Sequence, residues 1–164
     1  MNFSRQTSHA LHEEHRANLD LLGRVEQALA RAPRGDAARA PELVKLVLAL
    51  ARNLEQDLDR HFGFEEKELF PRMSEAGDGE IALLLTEEHE AIREVAQELL
   101  PLARAAVAGS ADGALWDALK RSALEMVERQ VAHIQKEEMA LLPLLEDLLD
   151  DETDRQLAFD YAAG

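Results

Sequence analysis

The chain has no cysteine among its 164 residues. Disulfides, thiolate zinc sites and iron–sulfur clusters ligated by the chain are therefore excluded, and any metal must be held by nitrogen and oxygen atoms. No stretch approaches about 18 uninterrupted apolar residues, so the sequence predicts no membrane-spanning segment. The first residues lack the apolar run of a signal peptide, and we expect a cytoplasmic protein.

Aromatic residues are also scarce, and basic residues are outnumbered by acidic ones. The 18 Lys and Arg stand against 33 Asp and Glu, which leaves a net charge of −15 at pH 7. This charge opposes binding to nucleic acid and to anionic lipid, so we expect neither a nucleic-acid nor a membrane partner. Aromatic residues are 4% of the chain, whereas Ala, Leu, Glu and Arg dominate, which favours helices throughout. At this length we expect a single domain over residues 1–164.

Four long amphipathic helices are predicted from apolar residues that recur every three or four positions. We expect them over about 4–32, 41–70, 80–107 and 114–142, with breaks at 33–36, 77–79 and 109–113. Pro71 is predicted to stop the second helix, Pro101 to kink the third, and Pro143 to kink or end the fourth. A short C-terminal helix follows, with Thr153 and Gln156 as its capping box. Short connections predict an all-α fold, an antiparallel up-down-up-down four-helix bundle.

Two similar eleven-residue phrases stand in the second and fourth helices, with His, Glu, Glu, Leu and Pro at matching positions. They read His61-Phe-Gly-Phe-Glu65-Glu66-Lys-Glu-Leu-Phe-Pro71 and His133-Ile-Gln-Lys-Glu137-Glu138-Met-Ala-Leu-Leu-Pro143. A Glu follows each His by four positions, so on a helix the two side chains project from one face about one turn apart. A second echo pairs Glu13-Glu14-His15 with Glu87-Glu88-His89. The chain therefore contains a two-fold repeat of a single His followed by a His-xxx-Glu pair.

The repeated side chains predict a metal site made by His15, His61, Glu65, His89, His133 and Glu137. Four imidazoles and two carboxylates would be costly to bury without partners, and metal ions satisfy them all. If both carboxylates bridge, each of two metals receives two nitrogens and two oxygens, and a hydroxide between the metals adds a fifth ligand. This set suits iron or manganese, and zinc can occupy it. An internal duplication kept only for its fold would explain the repeat without metal.

These residues resemble the hemerythrin-like family, also called the HHE cation-binding domain, from about Leu11 to Leu145. The resemblance rests on the single His of the first and third helices and on His-xxx-Glu in the second and fourth. It implies an antiparallel four-helix bundle with a non-haem di-iron centre of two oxo- or hydroxo-bridged Fe ions per chain. On this resemblance the four His are terminal ligands, and Glu65 and Glu137 bridge the two ions.

The chain departs from the oxygen-carrying members of that family at two positions. Arg93 stands where the carriers have a fifth His, and the last pair is His-xxx-Glu in place of His-xxxx-Asp. We therefore expect a protein that acts on or senses O2, NO or peroxide, or that handles iron, with an unknown redox partner. Whether it is an enzyme stays open. The alternatives are an acidic helical interaction module with a structural or vestigial metal site, and a reversible O2 carrier or store. A ferritin-like oxidase is disfavoured, because no His has a Glu three positions before it.

Other polar residues lie near the predicted site. His12, three residues before His15, is a candidate fifth ligand or proton relay. We expect Glu66 and Glu138 to face solvent, because each lies about 140° around its helix from the His of the same phrase. Asp57 and Glu68 share the face of His61 instead, and they are predicted acceptors for the second N–H of a ligand His.

Overall fold

A computed structural model describes residues 2–31, 41–109 and 113–164, with the side chain of Asp57 left out. Within these ranges the chain is helical and contains no strand, which confirms the all-α class. The helices are α1 (Gln6–Arg31), α2 (Pro41–Phe64), α3 (Phe70–Glu75), α4 (Gly79–Val107), α5 (Gly113–Lys136), α6 (Leu142–Leu148) and α7 (Asp151–Ala163). Two short π-helices, π1 (Glu65–Leu69) and π2 (Glu137–Leu141), join α2 to α3 and α5 to α6. The predicted break at 33–36, and most of that at 109–113, lie outside the described residues.

The four long helices pack in a ring around one interior. Helix α1 contacts α2 and α5, and α4 contacts the same two helices. Two apolar clusters fill this interior. The large cluster includes Leu22, Leu50, Leu54, Leu99, Trp116 and Met126. The small cluster includes Leu11, Leu69, Met73, Leu85, Leu141 and Tyr161. Between the two clusters lies a layer of buried His and Glu side chains.

Neither Pro71 nor Pro143 ends its helix, and the predicted stop at Pro71 is wrong. The backbone N–H of Phe70 donates to the carbonyl of Glu65, five residues back, so one turn widens into π1 and the chain continues helically to Glu75. Pro71 then falls in the first turn of α3, where a missing N–H is tolerated. The same arrangement precedes Pro143. Helix α4 likewise continues through Pro101.

The C-terminal helix α7 begins earlier than predicted. The carboxylate of Asp150 accepts the backbone N–H of Thr153 at 2.7 Å, so Asp150 is the N-cap. The side chain of Gln156 donates to Asp160 at 2.9 Å. The predicted capping box at Thr153 and Gln156 is therefore wrong, because the preceding Asp150 already supplies the cap. In the described ranges no helix has both the length and the apolar character needed to cross a membrane.

Candidate metal centre

The structure brings together the six side chains that the sequence singled out as ligands. Helices α1, α2, α4 and α5 each contribute one imidazole, and both carboxylates come from the first residue of a π-helix. Glu65 and Glu137 are 0% exposed, and the four imidazole residues are at most 3% exposed. The set is His15, His61, Glu65, His89, His133 and Glu137. Polar groups that are so deeply buried need partners within the protein or a bound ion.

The donor atoms of these residues converge in two groups. The first half-site consists of His15 and His61 with both carboxylates, and the second half-site consists of His89 and His133 with the same two carboxylates. Within each group the donor atoms all lie within 4.8 Å of one another. Each half-site therefore offers two nitrogens and shares its two carboxylates with the other half-site.

Each shared carboxylate turns one oxygen towards each half-site. In Glu65, Oε1 lies 2.8 Å from Nε2 of His61, and Oε2 lies 3.2 Å from Nε2 of His89. In Glu137, Oε2 lies 2.8 Å from Nε2 of His15, and Oε1 lies 2.5 Å from Nε2 of His133. This is the orientation that a carboxylate needs in order to bridge two cations.

The same carboxylate oxygens lack hydrogen-bond partners. All four oxygens of Glu65 and Glu137 are buried without a hydrogen bond, and so is Nε2 of His15. The neighbouring imidazole nitrogens approach at hydrogen-bond distance but without hydrogen-bond geometry. A buried group left in this state costs about 1–3 kcal/mol, and more if it is charged. Cations between the nitrogens and the oxygens would satisfy both, so the residues fit a pair of metal ions.

Four further glutamates, which we call the outer carboxylates, hold the other nitrogen of each imidazole. Each belongs to a helical segment next to that of its imidazole, so the four contacts form a closed cycle around the bundle. The Nδ1–carboxylate distances are 2.9 Å for His61 and Glu14, 3.3 Å for His89 and Glu66, 2.9 Å for His133 and Glu88, and 2.6 Å for His15 and Glu138. An Nδ1–H that donates outwards leaves the Nε2 lone pair pointing inwards, and it fixes both the tautomer and the ring direction.

The prediction that Glu66 and Glu138 face solvent is wrong, because both are outer carboxylates. Their side chains are only 26% and 23% exposed, and they contact His89 and His15. The angle of about 140° separates each Glu from the His of its own phrase, whereas the imidazole that it contacts lies on a neighbouring helix. The π turn also departs from the α-helical spacing that the angle assumed.

The other two outer carboxylates, Glu14 and Glu88, were missed. Both belong to the repeated Glu-Glu-His phrase, and this repetition is the sequence feature that could have identified them. Of the residues predicted for this role, Glu68 instead faces Arg72 at 3.9 Å. The side chain of Asp57 lies outside the described residues.

The outer carboxylates are themselves held by donors nearer the surface. Arg93, which stands at the carriers' fifth-His position, donates to Glu66 at 2.9 and 2.7 Å. His12 contacts Glu138 through Nδ1 at 2.8 Å, so the candidate fifth ligand lies outside both half-sites. Its contact holds a carboxylate that in turn holds His15.

The two half-sites have similar ligands but different surroundings. In the second half-site the ring of Phe62 stacks on His89, with centroids 3.8 Å apart and planes 4° apart, and its edge meets His133 at 5.5 Å. In the first half-site the ring of Tyr161 lies 6.3 Å from His61 and carries a hydroxyl. Phe62 also meets His61, but only edge-on, with centroids 6.2 Å apart. Among the described residues an apolar ring thus stacks on an imidazole in the second half-site, whereas a ring with a hydroxyl lies beside the first.

Surrounding carboxylates raise the pKa of the buried imidazoles in the metal-free protein. Burial lowers the pKa of His15, but the close carboxylates of Glu137 and Glu138 outweigh burial and raise it to about 9. Burial also lowers the pKa of His133, but the charge of Glu137 is the main effect that outweighs burial, and the pKa rises to about 10. Without metal, protons on the imidazoles therefore supply positive charge beside the buried carboxylates.

We expect the metal-free protein to lose stability as the pH rises from neutral to about 10. The folded-state pKa values of about 9 and 10 for His15 and His133 exceed the ordinary value of 6.5. Their protonation therefore stabilises the fold fully below pH 6.5, and this contribution is lost as the pH rises through the folded-state values. Urea unfolding of chelator-treated protein across this pH range is the measurement. A transition midpoint that stays constant or rises would contradict the expectation.

The family comparison covers the whole of this centre. Residues 6–145 match the family described as the hemerythrin HHE cation binding domain. The matched region contains the six ligand candidates and the four outer carboxylates, and it ends before α7 begins. No curated protein matches the chain. With most of its length matched and a buried His and Glu centre inside the match, the chain belongs to the hemerythrin HHE cation-binding domain family.

Proposed function

We propose that the chain binds two metal ions, preferably iron, one in each half-site, with Glu65 and Glu137 bridging them. The observation that carries the proposal is the set of four buried carboxylate oxygens that lack hydrogen bonds while each faces an imidazole Nε2. Nitrogen and oxygen donors of this kind suit iron or manganese, and zinc can substitute. A bound iron pair would supply redox chemistry towards small oxygen and nitrogen species.

An antiparallel four-helix arrangement is part of this proposal. Helices α1 and α4 begin in the small cluster and continue into the large one, as Leu11 and Leu22 illustrate for α1. Helices α2 and α5 begin in the large cluster, and the π-helices that follow them lie in the small one. This alternation supports alternating helix directions, with the ligand layer at one height in all four helices.

The centre is proposed to act on or sense O2, NO or peroxide, or to handle iron. Each half-site offers two nitrogens and two shared oxygens, which leaves coordination positions for a small ligand. The protein contributes imidazoles held in one orientation by the outer carboxylates, and burial that excludes bulk water from the donors. Arg93 binds Glu66 and supplies no further imidazole ligand. This favours a centre that reacts with or senses a small molecule over a reversible O2 carrier.

We expect about two metal ions per chain after anaerobic loading with Fe(II) and removal of unbound metal. Elemental analysis of the loaded protein measures the ratio. Less than about half an ion per chain would contradict the proposal, and it would favour an acidic interaction module with a vestigial site.

The loaded protein should also change its optical spectrum lastingly on exposure to O2. A change that reverses fully under vacuum would instead favour a carrier or store. The same protein loaded with Zn(II), which has no redox chemistry, is the matched control.

A further inference from the structure

Helix α7 lies beyond the region that matches the family, yet it is attached firmly to the bundle. Near its start, the carboxylate of Asp154 accepts the backbone N–H groups of Gln6 and Thr7 at 2.8 and 2.9 Å. These N–H groups belong to the first turn of α1 and have no partner within that helix. Asp154 is only 4% exposed, so α7 caps α1 from inside the protein.

The other end of α7 carries Tyr161, which is 5% exposed. Its ring centroid lies 4.6 Å from that of Phe64, and the Arg60 guanidinium lies 4.3 Å above the ring. Its hydroxyl donates to Oε2 of Glu14, the same oxygen that Nδ1 of His61 contacts at 2.9 Å. The hydroxyl oxygen also lies 3.2 Å from that Nδ1. The phenol, the outer carboxylate and the imidazole therefore meet at one point.

We propose that Tyr161 is a positioning residue for the first half-site and that it orients His61 through Glu14. This inference rests on the proposed metal-binding function. The second oxygen of Glu14 accepts from Arg60 at 3.0 Å, and Arg60 also donates to the backbone carbonyl of Tyr161 at 2.9 Å. The Tyr161 hydroxyl supplies the contact that fixes Oε2 beside His61.

The two half-sites differ in the groups that hold their outer carboxylates. In the second half-site the outer carboxylates of Glu66 and Glu88 pair with Arg93 and Lys136, which belong to helices of the bundle itself. In the first half-site a group from outside the matched family region joins Glu14. The geometry of His61 thereby depends on the docking of α7, whereas His89 and His133 have no such contact within the described residues.

The test measures Co(II) affinity by chelator competition in two backgrounds. His133→Ala removes a nitrogen from the second half-site and leaves the first intact, whereas His15→Ala does the reverse. Adding Tyr161→Phe keeps the ring and removes the hydroxyl. We expect about fivefold weaker Co(II) binding in the His133→Ala background, as for the loss of one buried hydrogen bond, and no change in the His15→Ala background.

The matched control is Phe159→Ala, a change on the same helix at a residue that is 70% exposed. It should leave both affinities unchanged. Equal affinity with and without the hydroxyl in the His133→Ala background would overturn the proposal. Equal losses in both backgrounds would also overturn it, because they would indicate a general effect of α7 on the fold. Should Tyr161→Phe fail to fold, Glu14→Gln is expected to weaken the same half-site selectively, and equal weakening of both would count against the proposal.

A measurement on the metal-free protein separates this inference from the proposed function. Nitrogen-15 spectra of the imidazoles at fixed pH should show a shifted Nδ1 resonance for His61 in Tyr161→Phe, while His133 stays unchanged. An unshifted His61 resonance would overturn the role of Tyr161 whether or not metal binds. If the wild-type protein binds no metal while Tyr161→Phe still shows the selective shift, the proposed function alone is overturned.

Discussion

Replacement of Glu137 by Ala is expected to weaken the binding of both metal ions by more than about 100-fold. Its two oxygens lie 2.8 Å from Nε2 of His15 and 2.5 Å from Nε2 of His133, so one substitution removes a donor from each half-site. In the metal-free protein the change also removes the counter-charge that contacts His15 and His133. In the intact protein burial raises the pKa of Glu137, but the charge of the surrounding imidazoles, chiefly His133, holds it well below its usual range.

The matched control is the next residue in the chain. Glu138→Ala removes the outer contact of His15, so about 10- to 100-fold weaker binding is expected, and only in the first half-site. Glu65→Ala and Glu66→Ala form an equivalent pair, in which Glu66 holds His89 of the second half-site. Chelator competition with Fe(II) under anaerobic conditions measures all four variants. Equal losses from all four would mean that the bridging and outer roles have been assigned to the wrong carboxylates.

Replacement of Phe62 by Ala is expected to destabilise the metal-free protein by about 3–5 kcal/mol. The ring is 5% exposed, stacks on His89 and packs with the large cluster, so its removal leaves a cavity beside the ligand layer. Arg93 would also lose the ring face, whose centroid lies 5.7 Å from the guanidinium carbon. Urea unfolding at pH 7 gives the free energy of unfolding directly.

Phe159→Ala is again the control, because its ring is largely exposed and a change there should stay within about 0.5 kcal/mol. Similar losses from both substitutions would contradict a packing role specific to Phe62. In the loaded protein we also expect the second half-site to lose more affinity than the first. The stacked ring restricts His89 to one orientation, and no equivalent ring stacks on His61 among the described residues.

The ligand candidates could be recognised from the sequence because their arrangement follows from helix periodicity alone. A His and a Glu four positions apart share one helix face whatever surrounds the helix, and the two-fold repeat removed the ambiguity of a single pair. The all-α class followed for a similar local reason, since composition and apolar spacing act within each segment.

The effect of the prolines on the helices could be predicted less well, because it depends on a local departure from α-helical geometry. A stop at Pro71 assumes that the preceding turn is α-helical, whereas the π turn that begins at Glu65 places the proline at the start of a new α-helical segment. The repeat of Glu-Glu-xx-Leu-x-Pro is visible in the sequence, but its spacing does not reveal the wider turn that both copies contain.

The sequence by itself determined the helical class and the two His-xxx-Glu pairs, because these depend on residues a few positions apart. The two-fold repeat added the single His residues, because it can be recognised by comparing the two halves of the chain. Only the tertiary structure decided which carboxylate holds which imidazole. Glu14 and His61 are 47 residues apart, and Tyr161 is 100 residues from His61. Contacts between helices depend on how the helices pack, and periodicity within one helix carries no information about the groups that a neighbouring helix presents.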